Sequence, residues 1–128
     1  MNGGIKYLSP ETYFSRDYSS IKDPAWSARA YAIINCVLDE MAQSLKPGGT
    51  ASSEEFLDYF CDFMLDNYGS LAYMVLNELG LTGCGDLYEI TSSVLKAGFS
   101  KTPCFFQPEK FIGYYNFKTE FASAEPRD

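Results

Sequence analysis

Four carboxylates at regular spacing are the residues of this sequence best placed to do chemistry. Glu54, Asp58, Asp62 and Asp66 follow one another at intervals of four residues, which places them on one face of a helix. Like charges at that spacing repel each other by roughly a few tenths of a kcal/mol per pair. The positive end of the helix dipole stabilises acids in the first turn, but Asp62 and Asp66 lie beyond that turn. The stripe is typical of a solvated helix face, and the alternative is a docking strip for a basic protein surface.

Two neighbouring tyrosines, Tyr114 and Tyr115, form the second candidate site. They lie within residues 99–121, a segment crowded with phenylalanine and interrupted by proline. Exposed aromatic side chains favour interfaces, so the segment could form a groove for a peptide or a small ligand. Such residues more often pack as a lid over a helical core. The sequence leaves both possibilities open.

The chain contains no histidine, and this excludes the commonest catalytic and metal sites. Ser-His-Asp and Cys-His catalysis require that residue, as do most zinc and di-iron ligand sets. The cysteines are far apart and form no C-x-x-C pair, so we expect reduced thiols rather than a zinc site. No calcium-loop, P-loop or dinucleotide motif occurs. We therefore predict no catalytic set, no metal and no cofactor.

Negative charge is concentrated in the middle of the chain. The formal net charge is −7, and residues 50–98 hold eight acids against one base, Lys96. Proteins bind nucleic acid largely by neutralising phosphates with Lys and Arg, so this segment disfavours that partner. The N-terminus lacks the apolar run of a signal peptide, and no stretch reaches the roughly 18 apolar residues of a membrane helix. We therefore expect a cytoplasmic protein with no membrane segment.

Helix caps and apolar periodicity predict the first two long helices. Asp23-Pro24, an N-cap followed by proline, predicts a helix over residues 24–45, which ends at Lys46-Pro47-Gly48-Gly49. Ser52 and Glu55 have the spacing of a capping box. The helix that they open continues to Tyr68, where Gly69 suits the terminating position.

Two further helices follow at short intervals. Residues 71–79 are apolar nearly all round, which predicts a central helix that ends at Gly80-Leu81. Asp86 and Glu89 resemble a second capping box, which opens a helix that runs to Gly98.

These elements predict one mainly α domain, a compact four-helix arrangement over residues 24–98. Residues 71–99 also have the outline of a helix-turn-helix, so a winged-helix-like arrangement is an alternative. We expect residues 99–121 to form an aromatic lid, either extended or folded as a hairpin. Residues 1–20 are predicted to be a weakly ordered segment and residues 122–128 a tail.

Short motifs occur in order along residues 21–121. They are Asp23-Pro24-Ala25-Trp26, Ala30-Tyr31, Val37-Leu38, Glu55-Phe56-Leu57, Asn67-Tyr68-Gly69-Ser70-Leu71-Ala72, Val75-Leu76-Asn77, Leu79-Gly80-Leu81, Asp86-Leu87-Tyr88-Glu89-Ile90, Gly98-Phe99, and Tyr115-Asn116-Phe117-Lys118 with Phe121. In order and spacing these motifs resemble the Minf-type family of small bacterial conserved hypothetical proteins. Asn116 and Lys118 stand where that family usually has acids, and the resemblance implies no activity.

Together these features predict a non-enzymatic module that binds another protein, one with a basic surface. The first alternative is a small enzyme that uses carboxylates and tyrosines of the C-terminal aromatic cluster. The second alternative is winged-helix-type binding of nucleic acid, which the acidity and the single lysine of the last helix oppose. The sequence leaves the oligomeric state open.

Overall fold

A computed structural model of the chain describes residues 10–21 and 25–122. The described residues are mainly helical, as predicted. The α-helices are α1 Pro10–Phe14, α2 Ala28–Ser44, α3 Ser53–Tyr68, α4 Ala72–Leu79, α5 Cys84–Lys96 and α6 Pro108–Phe111. The short elements are strands β1 Ala51–Ser52 and β2 Cys104–Phe105, a 3-10 turn at Gly69–Leu71 and a π-helical turn at Lys118–Ala122.

Helix α2 is the centre of the domain. Residues 30–38 are buried without interruption, and α1, α3 and α5 pack around them. The helix starts later than predicted, at Ala28, because the Ser27 side chain caps it by accepting from the Ala30 amide at 3.3 Å. The predicted cap, Asp23-Pro24, lies outside the described residues. Burial on all sides makes α2 the element on which the others assemble.

Helix α4, predicted to be central, lies at the surface instead. Leu71 and Met74 are 54% and 49% exposed, whereas Ala72, Leu76 and Leu79 are buried. A helix of eight residues buries one side against its neighbours. The apolar composition was therefore misleading, because the other side faces solvent.

The predicted start of α3 and the predicted end of α4 are confirmed in atomic detail. The Glu55 amide donates to Ser52 Oγ at 3.1 Å, and the Ser52 amide donates to Glu55 Oε1 at 2.8 Å. This is the complete capping box. Gly80 ends α4 in the left-handed conformation, and the amide of buried Leu81 donates to the Leu76 carbonyl at 2.9 Å.

The predicted capping box of α5 is wrong. The helix begins at Cys84, so Asp86 lies inside its first turn. Asp86 Oδ2 accepts from the amide and the hydroxyl of Thr82, both at 2.9 Å. The side chain therefore fastens the preceding turn, where it still lies near the positive end of the helix dipole.

The C-terminal segment is neither extended throughout nor folded as a hairpin, because it contains only the two-residue strand β2 together with two short helical turns, Pro108–Phe111 and Lys118–Ala122. Strand β2 pairs in parallel with β1, in the register Ala51 opposite Cys104 and Ser52 opposite Phe105. The partner strand lies immediately before α3, so the segment crosses back over the helices. Within residues 10–21 and 25–122 no hairpin is available to serve as a wing, and the winged-helix alternative loses its support.

Most of the aromatic lid belongs to the core. Phe111, Phe117 and Phe121 are buried in the same apolar cluster as α2 and α3. The lid nevertheless exposes Phe105 and Ile112, which are 68% and 72% accessible. In the part of the chain that the structure describes, no helix has the length and apolar character needed to cross a membrane.

Candidate functional site

The acidic stripe lies along the outer face of α3. Asp58, Asp62 and Asp66 are exposed, and Glu54 is partly so. Lys110 of α6 approaches Glu54, with 3.8 Å between Nζ and Oε2, and both side chains remain close to half exposed. An ion pair in that setting contributes little to stability. The stripe is thus a surface feature whose first acid contacts the C-terminal segment.

The two candidate tyrosines have different surroundings. Tyr114 is 39% exposed, and its hydroxyl donates to Asp58 Oδ1 at 2.9 Å, so it joins the acidic face. Tyr115 points inward: its hydroxyl donates to the Leu57 carbonyl at 3.0 Å, and its ring meets that of Phe121 edge-on at 5.8 Å. Burial raises the pKa of Tyr115 above its ordinary range. Tyr114 is therefore accessible from solvent, whereas Tyr115 attaches the C-terminal segment to the core.

A groove of about 300 Å³ runs between the end of α2 and the acidic face of α3. We call it the α2–α3 groove. Its inner part is formed by buried or half-buried side chains, and its rim by exposed carboxylates. The inner residues are Met41, Leu45 and Tyr59, and the rim residues are Glu55, Asp58 and Asp62.

Features other than the rim carboxylates also make the electrostatic potential of the groove negative. The C-terminal end of α2, which carries the negative pole of a helix dipole, lies in its wall, and the last turn of α2 has no basic residue. Lys46 follows α2 but does not line the groove. The Tyr59 hydroxyl donates to Glu40 Oε1 at 3.2 Å. Burial and the nearby Glu40 carboxylate raise the pKa of Tyr59 to about 12. A cation is therefore the complementary ligand.

The rim carboxylates are fixed in place by existing hydrogen bonds. Glu55 accepts from the Ser52 amide and Asp58 from the Tyr114 hydroxyl. Among the described residues, no three His, Cys, Asp or Glu side chains converge as metal ligands. With an apolar interior, the groove suits an organic cation attached to an apolar stem.

Sequence reasoning located two of the three rim carboxylates, Asp58 and Asp62, but neither Glu55 nor the interior. Asp58, Asp62 and Tyr114 were predicted as site residues, whereas Tyr59, Met41 and Leu45 were not. Tyr59 directly follows Asp58 and shares one helix face with Glu55 and Asp62, which was the available clue. Met41 and Leu45 belong to another helix, so only the packing of α2 on α3 brings them here.

Strongly alkaline solution is expected to unfold the protein. Burial raises the pKa of Cys36 from 9.0 to about 12, and that of Tyr59 from 10.0 to about 12. The folded state therefore keeps protons that the unfolded chain releases, so the contribution of these two groups to stability is fully present below about pH 9 and is lost as pH rises toward 12. Urea midpoints across this range, with tyrosinate absorbance, measure the effect. Identical tyrosine titrations of the folded and the denaturant-unfolded protein would contradict it.

Comparisons of the chain with protein-family models, with curated proteins and with solved structures find no match. The resemblance described from the sequence motifs therefore stays a prediction. Function has to be argued from the residues and their geometry, and the α2–α3 groove is where these are most specific.

Proposed function

We propose that the chain is a protein-binding module that takes a basic amphipathic segment of a partner into the α2–α3 groove. The observation that carries the proposal is the combination in one groove of an apolar interior and a rim of exposed carboxylates. Each part alone would be an ordinary surface feature. Together they match the two halves of a lysine or arginine side chain.

Long basic side chains carry an apolar stem and a charged head. In the groove, the stem would lie against Met41 and Leu45, and the head would reach Asp58 and Asp62 at the rim. The Tyr59 ring adds a face on which a cation can rest. A partner helix with basic residues along one side would place several such heads along the α3 stripe.

The hydrogen bonds at the rim favour binding over catalysis. Because Asp58 already accepts from Tyr114, its charge is held in position before a partner arrives. Pre-organised charges lower the cost of association, since fewer side chains lose freedom on binding. A general acid or base would instead need a carboxylate that faces a reacting group within a water-excluding pocket. The acidic face also repels phosphates, which weakens the nucleic-acid alternative.

The test is binding of a synthetic basic amphipathic helical peptide, measured by calorimetry at low ionic strength. We expect the double reversal Asp58→Lys/Asp62→Lys to weaken binding by about tenfold or more, because two attractive charges become repulsive. We also expect the affinity of the native protein to fall as salt is added. A peptide with glutamate in place of the basic residues should not bind.

The matched control is Glu78→Lys/Glu89→Lys, which changes net charge equally but alters exposed acids on α4 and α5. This variant should keep most of the affinity. Equal loss in both double variants would mean that only net charge matters, and the groove would be rejected. Failure of the native protein to bind the basic peptide at low salt would also reject the proposal.

A further inference from the structure

We infer that a second copy of this chain binds at the face formed by α5 and β2, where Phe105 of each copy enters a groove of the other. The inference is independent of the α2–α3 groove, because none of the described residues lines both grooves. It rests on the shape of this face, on its charge and on the exposure of one aromatic side chain.

A second groove, of about 290 Å³, lies between α5 and β2, and we call it the α5–β2 groove. Half-buried apolar and aromatic side chains form most of its wall. They are Tyr88, Leu95, Cys104 and Phe106. The groove is thus open to solvent, and its lining suits an apolar side chain.

Phe105 lies at the edge of this groove and does not fill it. The side chain is 68% exposed, although both neighbours in sequence are half-buried. A projecting ring therefore stands beside a cleft of matching chemistry on one face of the molecule. A two-fold interface requires this arrangement, because each copy must present both the inserted group and its receptor. A different partner protein would need the cleft alone.

Charge also favours a second copy at this face. With a net charge of −7, two copies repel each other, and the repulsion is weakest where they meet through a face poor in acids. Among the residues that the structure describes, no carboxylate lines the α5–β2 groove, and Lys96 is part of its lining. Residues 96–110 carry three lysines and one glutamate, the reverse of the α3 stripe. Contact through this face keeps the two acidic stripes out of the interface.

The contact is small, so the dimer is weak. Two phenylalanines and two short grooves bury less than the roughly 1,200–2,000 Å² of a standard stable interface. We expect a dissociation constant on the order of 10–100 µM, as for a transient complex. Added salt should strengthen the association, because it screens the repulsion between the copies while leaving the apolar contact in place.

Sedimentation velocity over about 5 to 500 µM, a range that spans transient affinities, tests the inference. The native protein should shift from monomer to dimer. Phe105→Asp should stay monomeric over the whole range, with unchanged helical circular dichroism, because the side chain is exposed and supports no core packing. The matched control is Leu71→Asp, which adds the same charge at a residue 54% exposed on another surface and should still dimerise.

Alkylation of Cys104 provides a second measurement. It is the one half-buried cysteine of the chain, since Cys36, Cys61 and Cys84 are buried, and it lies in the α5–β2 groove. In the native protein its alkylation should slow as concentration rises, whereas in Phe105→Asp the rate should not depend on concentration. A native protein that stays monomeric at the highest concentration overturns the inference, as does a Phe105→Asp variant that dimerises normally. Either result would leave the proposed binding of a basic segment in the α2–α3 groove untouched.

Discussion

Replacing Phe56 by alanine is expected to lower the free energy of unfolding by about 3–5 kcal/mol, the usual cost of removing a buried phenylalanine. Phe56 is fully buried in the second turn of α3. Its ring lies 5.3 Å from that of Phe106 and 6.0 Å from that of Phe111, between ring centroids. The substitution therefore opens a cavity where α3 meets the C-terminal segment. The substitution should therefore weaken the packing of both α3 and the C-terminal segment.

Urea unfolding monitored by circular dichroism measures this change. The control is Ile112→Ala, which removes an apolar side chain of the same segment that is 72% exposed. Because that side chain is already hydrated, its removal should change stability by less than about 0.5 kcal/mol. Similar decreases in the free energy of unfolding for the two variants would mean that Phe56 does not connect α3 to the C-terminal segment.

Replacing Asn35 by leucine is expected to cost about 2–4 kcal/mol, although the two side chains have the same number of heavy atoms and the same branching at Cγ. Asn35 lies in the buried centre of α2 and is completely inaccessible. In the amide orientation that satisfies both of its polar groups, the Asn35 nitrogen donates to the Phe99 carbonyl at 3.1 Å and the oxygen accepts from Arg16 Nη1 at 3.0 Å. Leucine would leave both of these groups without their partner. A buried polar group without a hydrogen bond costs about 1–3 kcal/mol.

The matched control is Asn77→Leu, the same substitution at an exposed asparagine of α4. We expect a change there of no more than about 0.5 kcal/mol. Amide hydrogen exchange gives a second readout, since loss of the Arg16 contact should increase exchange in α1 and in the residues that follow it. An Asn35→Leu variant as stable as the native protein would show that burial, and not the amide, holds these segments together.

Local sequence was sufficient where structure depends on neighbouring residues. The Ser52–Glu55 capping box and the Gly80-Leu81 helix end were both predicted, because each uses hydrogen bonds between residues a few positions apart. Composition also predicted a mainly helical domain. These features are decided within a turn or two of helix.

Most of the incorrect predictions concern contacts between distant residues, and Asp86, whose partner Thr82 is four residues away, is the exception. Leu71 and Met74 were expected in the core because they are apolar, but both are exposed, on the side that faces solvent. Asp86 has the spacing of a capping residue, but α5 begins two residues earlier and the Asp86 carboxylate accepts from Thr82 instead. The parallel pairing of β1 with β2 joins residues about fifty positions apart, which no local pattern specifies.

The candidate site divides in the same way. The acidic stripe follows from helical spacing alone, and its exposure agrees with that expectation. The hydrogen bond from Tyr114 to Asp58 joins residues 56 positions apart. The groove beside Asp58 requires the end of α2 to lie against α3. Spacing therefore indicated the charges of the site, whereas its shape depends on tertiary packing.

The complete burial of residues 30–38 has a consequence for how such a protein can diverge. Every substitution there meets neighbours on all sides, so few side chains are tolerated in α2. The outer face of α3 carries no comparable constraint, since its acids face solvent. Under the proposed function, mutations on this face of α3 would thus alter the choice of partner while α2 continues to stabilise the fold. Descendants of one ancestral sequence could acquire different binding specificities and still share the same architecture.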